Sequence, residues 1–435
     1  MKRVENWFLI IFIPLSLLMM IVMPIFRPPD EPAHLERAFL IADGQMISSI
    51  RTGKATIPEN FYGASLADNI SYKDLINLWE DMTDRHYEIN NMTATAIYPP
   101  VSYFPQALGM KLAMIFSSNR LVVFYAARLM NWLCATAVLW WGIWKIPKGK
   151  WIFLFLSILP VNLQEVSSAS ADGMATAIVF ALTAFVCWAV MEKPVFRKKE
   201  YVVMTLLSLG LVCWKLLYSP MVLLYLMIPK ECFRTKNCRT ISLMATMLGT
   251  LVLIGTWGLI CYVNLFHGAS EGLEGSTVSM IANFLQRPWD YFVRLGMDLR
   301  YRVFNHVAGV FGTRLSWSNI IPGNAFWGSS FALCLILWVI SDAPEMKWKP
   351  RMIMLGVSIL SVMVIYFLLY LWWTPIDSPK IEGFQGRYLL PLTLPVMLAV
   401  KPPQWKKEKL LPYLMGATVL VDIGFLIRIV QHIAV

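Results

Sequence analysis

Two adjacent carboxylates, Asp30 and Glu31, follow directly on an apolar run of about twenty residues, in the stretch R-P-P-D-E-P-A-H-L-E-R. An acid held at a lipid–water boundary is costly unless it has a task. Pro28 and Pro29 fix the start of a helix, so Asp30, His34 and Arg37 fall at i, i+4 and i+7 on one face, while Glu31 points elsewhere. The helix dipole favours acids in a first turn and accounts for one of them. It accounts less well for a Pro-Pro-Asp-Glu-Pro cluster at the edge of a bilayer. A carboxylate partly screened from water gains proton affinity and can act as a general base towards a hydroxyl. Asp30 is the first candidate for that work, Glu31 the second, and His34 is a candidate hydrogen-bond partner that orients them.

Three further stretches carry chemistry. In Q-E-V-S-S-A-S-A-D-G, Asp172 follows a run of small residues that lets helices approach closely. It suits either an N-cap or a second functional acid, with Glu165 a lesser candidate. In G-F-Q-G-R-Y-L-L-P, glycines free the backbone for close approach, and Arg387 offers a planar fork matched to phosphate oxygens, with Tyr388 beside it. Lys215, at a break between two short apolar runs, is a second cation, with a snorkelling lysine as the plain alternative. Basic residues at 287–302 could also meet a phosphate, although headgroup contacts suit them better individually.

The elements that position these residues are membrane helices. Hydrophobic residues make up 57% of the 435 and charged residues 15%, against roughly a quarter charged in a soluble domain. Continuous apolar runs without alternation exclude a β-barrel. Eleven spans are expected, at about 7–26, 121–144, 151–166, 173–191, 201–214, 216–229, 240–266, 322–341, 352–373, 388–400 and 410–430, in a single all-α membrane domain covering 1–435. The stretch 201–229 reads as either a tight hairpin or one broken segment.

Six short connections carry twenty Lys and Arg in fifty residues, while the three large loops at 27–120, 267–321 and 374–387 carry fifteen in 163. That bias puts the N-terminus inside and the C-terminus outside. The formal charge of +11 therefore describes topology, and no folded basic domain for nucleic acid is present. The first run is expected to stay as an uncleaved anchor. The seven cysteines avoid the large outer loops and form no disulfide or zinc framework.

Loop 27–120 is expected to open with an amphipathic helix from Pro32 to Asp43, stopped by Gly44 and lying on the membrane surface, with Leu35, Ala38, Phe39 and Ala42 on one face. Its polar middle, 59–93, faces water, and Tyr98 to Gln106 lead into a short helix through Ile115. Loop 267–321 begins with a glycine-rich linker. It continues as a basic, aromatic segment around Trp289, Arg294 and Arg302 suited to a headgroup interface. Asn69-Ile70-Ser71 and Asn91-Met92-Thr93 are formal glycosylation sequons.

The four motifs P-P-D-E-P-A-H, Y-P-P-V-S-Y-F-P-Q, S-A-S-A-D-G and G-R-Y-L-L-P, in that order, resemble the bacterial membrane proteins grouped as domain of unknown function 2142. That family is similar to the GT-C superfamily of polytopic glycosyltransferases. The resemblance implies a polyprenyl-phosphate-linked sugar as donor and a glycan or lipid acceptor on the outer face of a bacterial cytoplasmic membrane. It makes Asp30 the counterpart of the first-loop acid, with Glu31 beside it. Tyr98, Pro99 and Pro100 match the segment that shapes the pocket, and Gln106 closes the same motif on the acceptor side. Arg387 and Tyr388, with Lys215, face the donor phosphate. No metal is required, although Asp30, Glu31 and Asp172 could hold Mg²⁺ or Mn²⁺ if they converge. A polymerase of lipid-linked glycans and a non-enzymatic glycan transporter are the rival expectations.

Overall fold

A computed structural model describes residues 3–47, 55–62, 71–88, 94–261, 263, 274–315, 320, 322–402, 405 and 407–433. Asn69, Asn91 and most of the glycine-rich stretch after His267 lie outside them. The order of elements is α1 (Val4–Val22), α2 (Glu31–Ala42), the two-stranded ribbon β1 (Thr56–Pro58) and β2 (His86–Glu88), then α3 (Phe104–Met114) and α4 (Arg120–Lys145). There follow α5 (Lys150–Ser157), α6 (Pro160–Ser167), α7 (Asp172–Glu192), α8 (Lys198–Trp214), α9 (Lys236–Cys261), α10 (Glu274–Gln286) and α11 (Pro288–Val310). The chain ends with α12 (Asn324–Ile340), α13 (Trp348–Trp372), α14 (Leu390–Ala399) and α15 (Leu411–Ile433).

The protein is all-helical apart from the small ribbon, and α1, α4, α7, α9, α13 and α15 are long and apolar enough to cross a membrane. The remaining apolar stretches are shorter or broken. The expected span 151–166 is split into α5 and α6, because Pro160 lacks the N–H that would continue the ladder. Asn162 Nδ2 donates 2.8 Å to Ser157 O across the break. The stretch 201–229 resolves into a hairpin. Helix α8 runs to Trp214, Lys215 is extended at the apex, and a 3₁₀ segment, Leu216–Met227, returns alongside. Phe196 N donates 2.7 Å to Cys232 O where the two arms end, and Tyr225 Oη donates 2.8 Å to Met204 O between them.

The short basic connections gather at one end of the bundle. Lys150 pairs with Glu5, Lys148 Nζ lies 2.6 Å from Glu345 Oε1, and Gly149 N donates 3.1 Å to Asp342 Oδ1. The first long loop and the 374–387 connection meet at the other end.

Helix α2 was expected on the membrane surface and is instead enclosed. Residues His34 to Ile41 are all buried. Phe61 packs edge-on against Phe39 at 5.3 Å, Thr95 Oγ1 donates 3.1 Å to Ala33 O, and Tyr62 donates to Glu36. The loop itself covers the face that headgroups would have met. An apolar face is instead exposed by α3 and the two residues after it, at Phe104, Leu108, Leu112, Ile115 and Phe116, while Gln106, Ala107 and Met110 are buried. Gly109 allows this seat, since a Cβ there would strike the Ala126 carbonyl of α4. Helix α11 is two-faced in the same way, with Trp289, Phe292, Val293 and Phe304 outside and Tyr291, Arg294 and Asp298 inside.

The turn from α1 into α2 is held by one sealed ion pair. Phe26 (φ 71°) and Asp30 (φ 61°) both adopt the left-handed region that side chains disfavour. Arg128 of α4, fully buried, donates to the carbonyls of Met20 (3.0 Å), Met23 (2.6 Å) and Pro24 (2.8 Å) at the open end of α1. It also meets both Glu31 oxygens, from Nε to Oε1 at 2.7 Å and from Nη2 to Oε2 at 2.6 Å. Those oxygens further accept from Ala169 N and Phe26 N, each at 2.9 Å. Removing one partner of a buried pair strands the other charge. Arg128→Met is therefore expected to cost about 3–5 kcal/mol, read as a lower unfolding midpoint in detergent. Adding Glu31→Gln should restore part of that loss; a double variant as unstable as the sum of the singles would show that the pair is not coupled.

Candidate functional site

Arg387 is placed by backbone contacts that only glycine permits. Gly383 takes φ +83°, where a Cβ would strike the Trp373 indole, and Gly386 lies directly against the backbone of Gly309 and His306 in α11. The 3₁₀ turn Gly386–Leu389 that follows drives the Arg387 guanidinium inward. Its Nη2 donates to Asp30 Oδ2, Nη1 lies 3.3 Å from Glu165 Oε1, and the same Nη1 is 3.8 Å from Asp172 Oδ2. Lys215 Nζ, at the apex of the hairpin, donates to Asp172 Oδ1. The Tyr388 ring lies beside both cations, 4.9 Å from Lys215 Nζ and 5.6 Å from the guanidinium carbon.

The two buried acids come from a single tight turn. Glu165 lies in the last turn of α6 and Asp172 begins α7. Gly173 lets the two helices close up, since a Cβ there would lie 2.7 Å from the Glu165 carbonyl oxygen. The turn is tied down from three sides. Gln106 Nε2 donates 3.1 Å to Ala169 O, and Asn131 Nδ2 donates to Ser168 O (2.8 Å) and Ser170 O (2.9 Å). His34 Nε2 lies 3.2 Å from Ser170 Oγ and His34 Nδ1 lies 2.7 Å from Tyr103 Oη.

Three carboxylates thus face two cations in a largely dry cluster. Asp30 is its open member, with a side chain 41% exposed against 12% for Asp172 and 7% for Arg387. Two polar atoms, Arg387 Nε and Glu165 Oε2, are sealed without a hydrogen-bond partner among the described residues. The cluster therefore has bonding capacity that the protein does not fill.

The residues singled out in sequence divide as follows. Asp30, Asp172, Lys215, Arg387 and Tyr388 meet. Asp172 is the first residue of its helix, and its side chain is spent on the cations rather than on a cap. Glu31 is elsewhere, with both oxygens turned to Arg128 and backbone N–H groups. His34 and Gln106 hold the Ser168–Ala171 turn from behind and do not touch Arg387. Tyr98 lies within electrostatic reach of Lys215 and Asp172, and burial pushes its phenol up to about 12.

The set Asp30, Glu31 and Asp172 that could have held a divalent ion does not converge, and the guanidinium of Arg387 sits between the acids that do. Among the described residues no group of three His, Cys, Asp or Glu is placed to hold a metal. Two of the four arginines of 287–302 are also committed. Arg294 donates to Pro375 O (3.2 Å) and Ile376 O (2.9 Å), and Arg302 meets Glu382 at 2.9 Å. They brace the connection that leads to Arg387. Glu165 has the larger part than its sequence context suggested. The available signal was an acid just before a small-residue turn that also carries Asp172.

Burial holds the His34 imidazole down to about 4, partly offset by Asp172 and Asp30, so it is neutral at pH 7. A base whose affinity for protons is lower folded than unfolded stabilises the fold above its unfolded value of about 6.5 and gives that up as pH falls towards 4. The unfolding midpoint in detergent should fall across that window. His34→Gln, which keeps polar contacts without titrating, should flatten the slope; an unchanged slope would assign it to another group.

The chain belongs to the family described as predicted membrane protein (DUF2142), whose model matches residues 15–396. No curated protein and no solved structure matches it.

Proposed function

We propose that this membrane protein is a glycosyltransferase of GT-C type. It would move a sugar from a polyprenyl-phosphate-linked donor to an acceptor hydroxyl, with its site on the extracytoplasmic face of a bacterial cytoplasmic membrane. The observation that carries the reading is the cluster in which Asp30 meets Arg387 and Asp172 meets Lys215 and Arg387, at the end of the bundle opposite the basic connections. The basic bias of those connections supports a cytoplasmic N-terminus and an extracytoplasmic C-terminus. The eleven apolar stretches support about eleven passages of the bilayer, several of them broken or short.

In this reaction Asp30 takes the proton of the acceptor hydroxyl as its oxygen bonds to the anomeric carbon. The bond from that carbon to the phosphate oxygen breaks, and the electron pair leaves with the lipid phosphate. Arg387 and Lys215 offset the charge that develops there. Tyr388 packs against both cations, while Glu165 and Asp172 hold them in place. Glu31 shapes the turn and carries no proton in the reaction.

Arg387 already meets Asp30 and Glu165, so an anion reaches it only when one acid withdraws. Asp30 is the exposed one, so the donor phosphate would displace it from Arg387. Displacement frees Asp30 to act as a base only when the donor is in place. In Asp30→Asn, transfer from a labelled lipid-linked sugar should fall about 10²–10⁴-fold. Affinity for undecaprenyl phosphate, measured separately in detergent, should rise several-fold because Arg387 loses the carboxylate that the phosphate must displace. Undiminished transfer would remove Asp30 from the chemistry, and unchanged or weaker lipid-phosphate binding would remove the displacement.

A further inference from the structure

The basic end of the bundle holds a pocket far from the Asp30–Arg387 cluster. It opens where α7 stops and α8 and α9 start, and its volume is about 450 Å³. Lys193 ends α7 in the left-handed region (φ 45°), and Pro194 follows it. Phe196 is fully buried with its ring 5.3 Å from that of Phe233, which fastens the α7–α8 connection to the segment before α9. Arg197 and Arg234, each next in sequence to one of those rings, therefore line the same pocket, together with Lys199. Trp188 lines it too, parallel to Phe196 at 6.3 Å and with Lys145 Nζ 2.9 Å from its ring centroid.

Two of the nearby acids are committed to the local structure. Glu192 Oε2 accepts from Trp188 Nε1 at 2.7 Å, and Glu200 Oε2 accepts from Arg197 N at 2.8 Å to start α8. Lys199 Nζ lies 3.7 Å from the other Glu200 oxygen. Arg197 and Arg234 are exposed and form no ion pair among the described residues. The connections 192–200 and 230–239 carry eight Lys and Arg against three Glu, so the field at the pocket is positive. Planar guanidinium forks suit phosphate oxygens.

Beyond the pocket both helices turn apolar. Helix α8 exposes Val202, Leu206 and Leu209, and α9 exposes Ile241, Met244 and Leu248. The spacing puts each set on one face of its helix. The two helices pack together and leave the basic end in the same direction. A soluble anion would use the cations alone, whereas a phospholipid uses the cations and the aliphatic rows together.

We propose that this corner is a binding site for an anionic phospholipid. Arg197, Lys199 and Arg234 hold the headgroup phosphate, and the acyl chains lie along the exposed rows of α8 and α9. The site does not depend on the reaction proposed above.

The test titrates the full chain in detergent with dioleoyl phosphatidylglycerol and with dioleoyl phosphatidylcholine, counting bound lipid by native mass spectrometry. Phosphatidylglycerol should bind at least about tenfold more tightly, and Arg197→Gln and Arg234→Gln should each weaken it about fivefold, the worth of one basic side chain at an anionic surface. The pair Lys347→Gln and Lys349→Gln removes the same charge from another connection and should leave the affinity within about twofold. Glycerol phosphate, which lacks acyl chains, should not displace the lipid. Equal retention of the two lipids, equal losses in the two sets of variants, or displacement by glycerol phosphate would each overturn the proposal.

Discussion

The pair between Glu31 and Arg128 sets the geometry on which the cluster depends. Carbonyls at the end of a membrane helix have no water to bond, so something in the protein must take them. Arg128 does so for Met20, Met23 and Pro24, and its own charge then needs a sealed partner. Glu31 supplies that charge and spends its remaining lone pairs on Phe26 N and Ala169 N. One ion pair therefore joins the end of α1, the start of α2, the middle of α4 and the turn between α6 and α7. Asp30 precedes Glu31 by one residue in a left-handed conformation, and Asp172 follows Ala169 by three. The two acids are brought to Arg387 by the same lock.

Adjacent residues of like charge thus acquire unlike roles. Glu31 is fully buried with its counter-ion and backbone donors satisfied, which leaves nothing for a ligand. Asp30 has one strong partner and an open flank. Such contrast between neighbouring carboxylates is what separates a structural ion from a reactive one. It also explains the two left-handed residues. The turn has to face one carboxylate into the bundle and the next towards its mouth, and Pro28 and Pro29 leave little other freedom between them.

Much of this was legible in the residues. The hydropathy pattern located the six helices long and apolar enough to cross a membrane within a few positions, and the four motifs marked the stretches that converge. The acids and cations of the cluster were identifiable because charge is rare at the ends of apolar runs. Three things were not legible. The partner of Glu31 lies 97 positions away, and Arg128 looks in sequence like an isolated intramembrane charge. The enclosure of α2 depends on a loop whose packing has no period. The weight of Glu165 depends on the closeness of α6 and α7, which Gly173 permits but does not announce. Sequence pattern shows which face of an element is apolar, and it does not show what will cover it.

Asp172 and Asp422 show how far surroundings decide the chemistry of one residue type. Both are buried acids of apolar helices, 9% and 1% exposed. Asp172 sits at a helix start, where Lys215 at the hairpin apex and Arg387 at the glycine turn converge on it. An arginine keeps its proton even in a dry setting, so it is a dependable counter-ion there. With two cations present, Asp172 can remain an anion without water, and its task is to hold them in register. Asp422, within α15, has no hydrogen-bond partner for either carboxyl oxygen among the described residues. The same residue type is thus a committed counter-ion at one end of the bundle and an acid without a hydrogen-bond partner within α15.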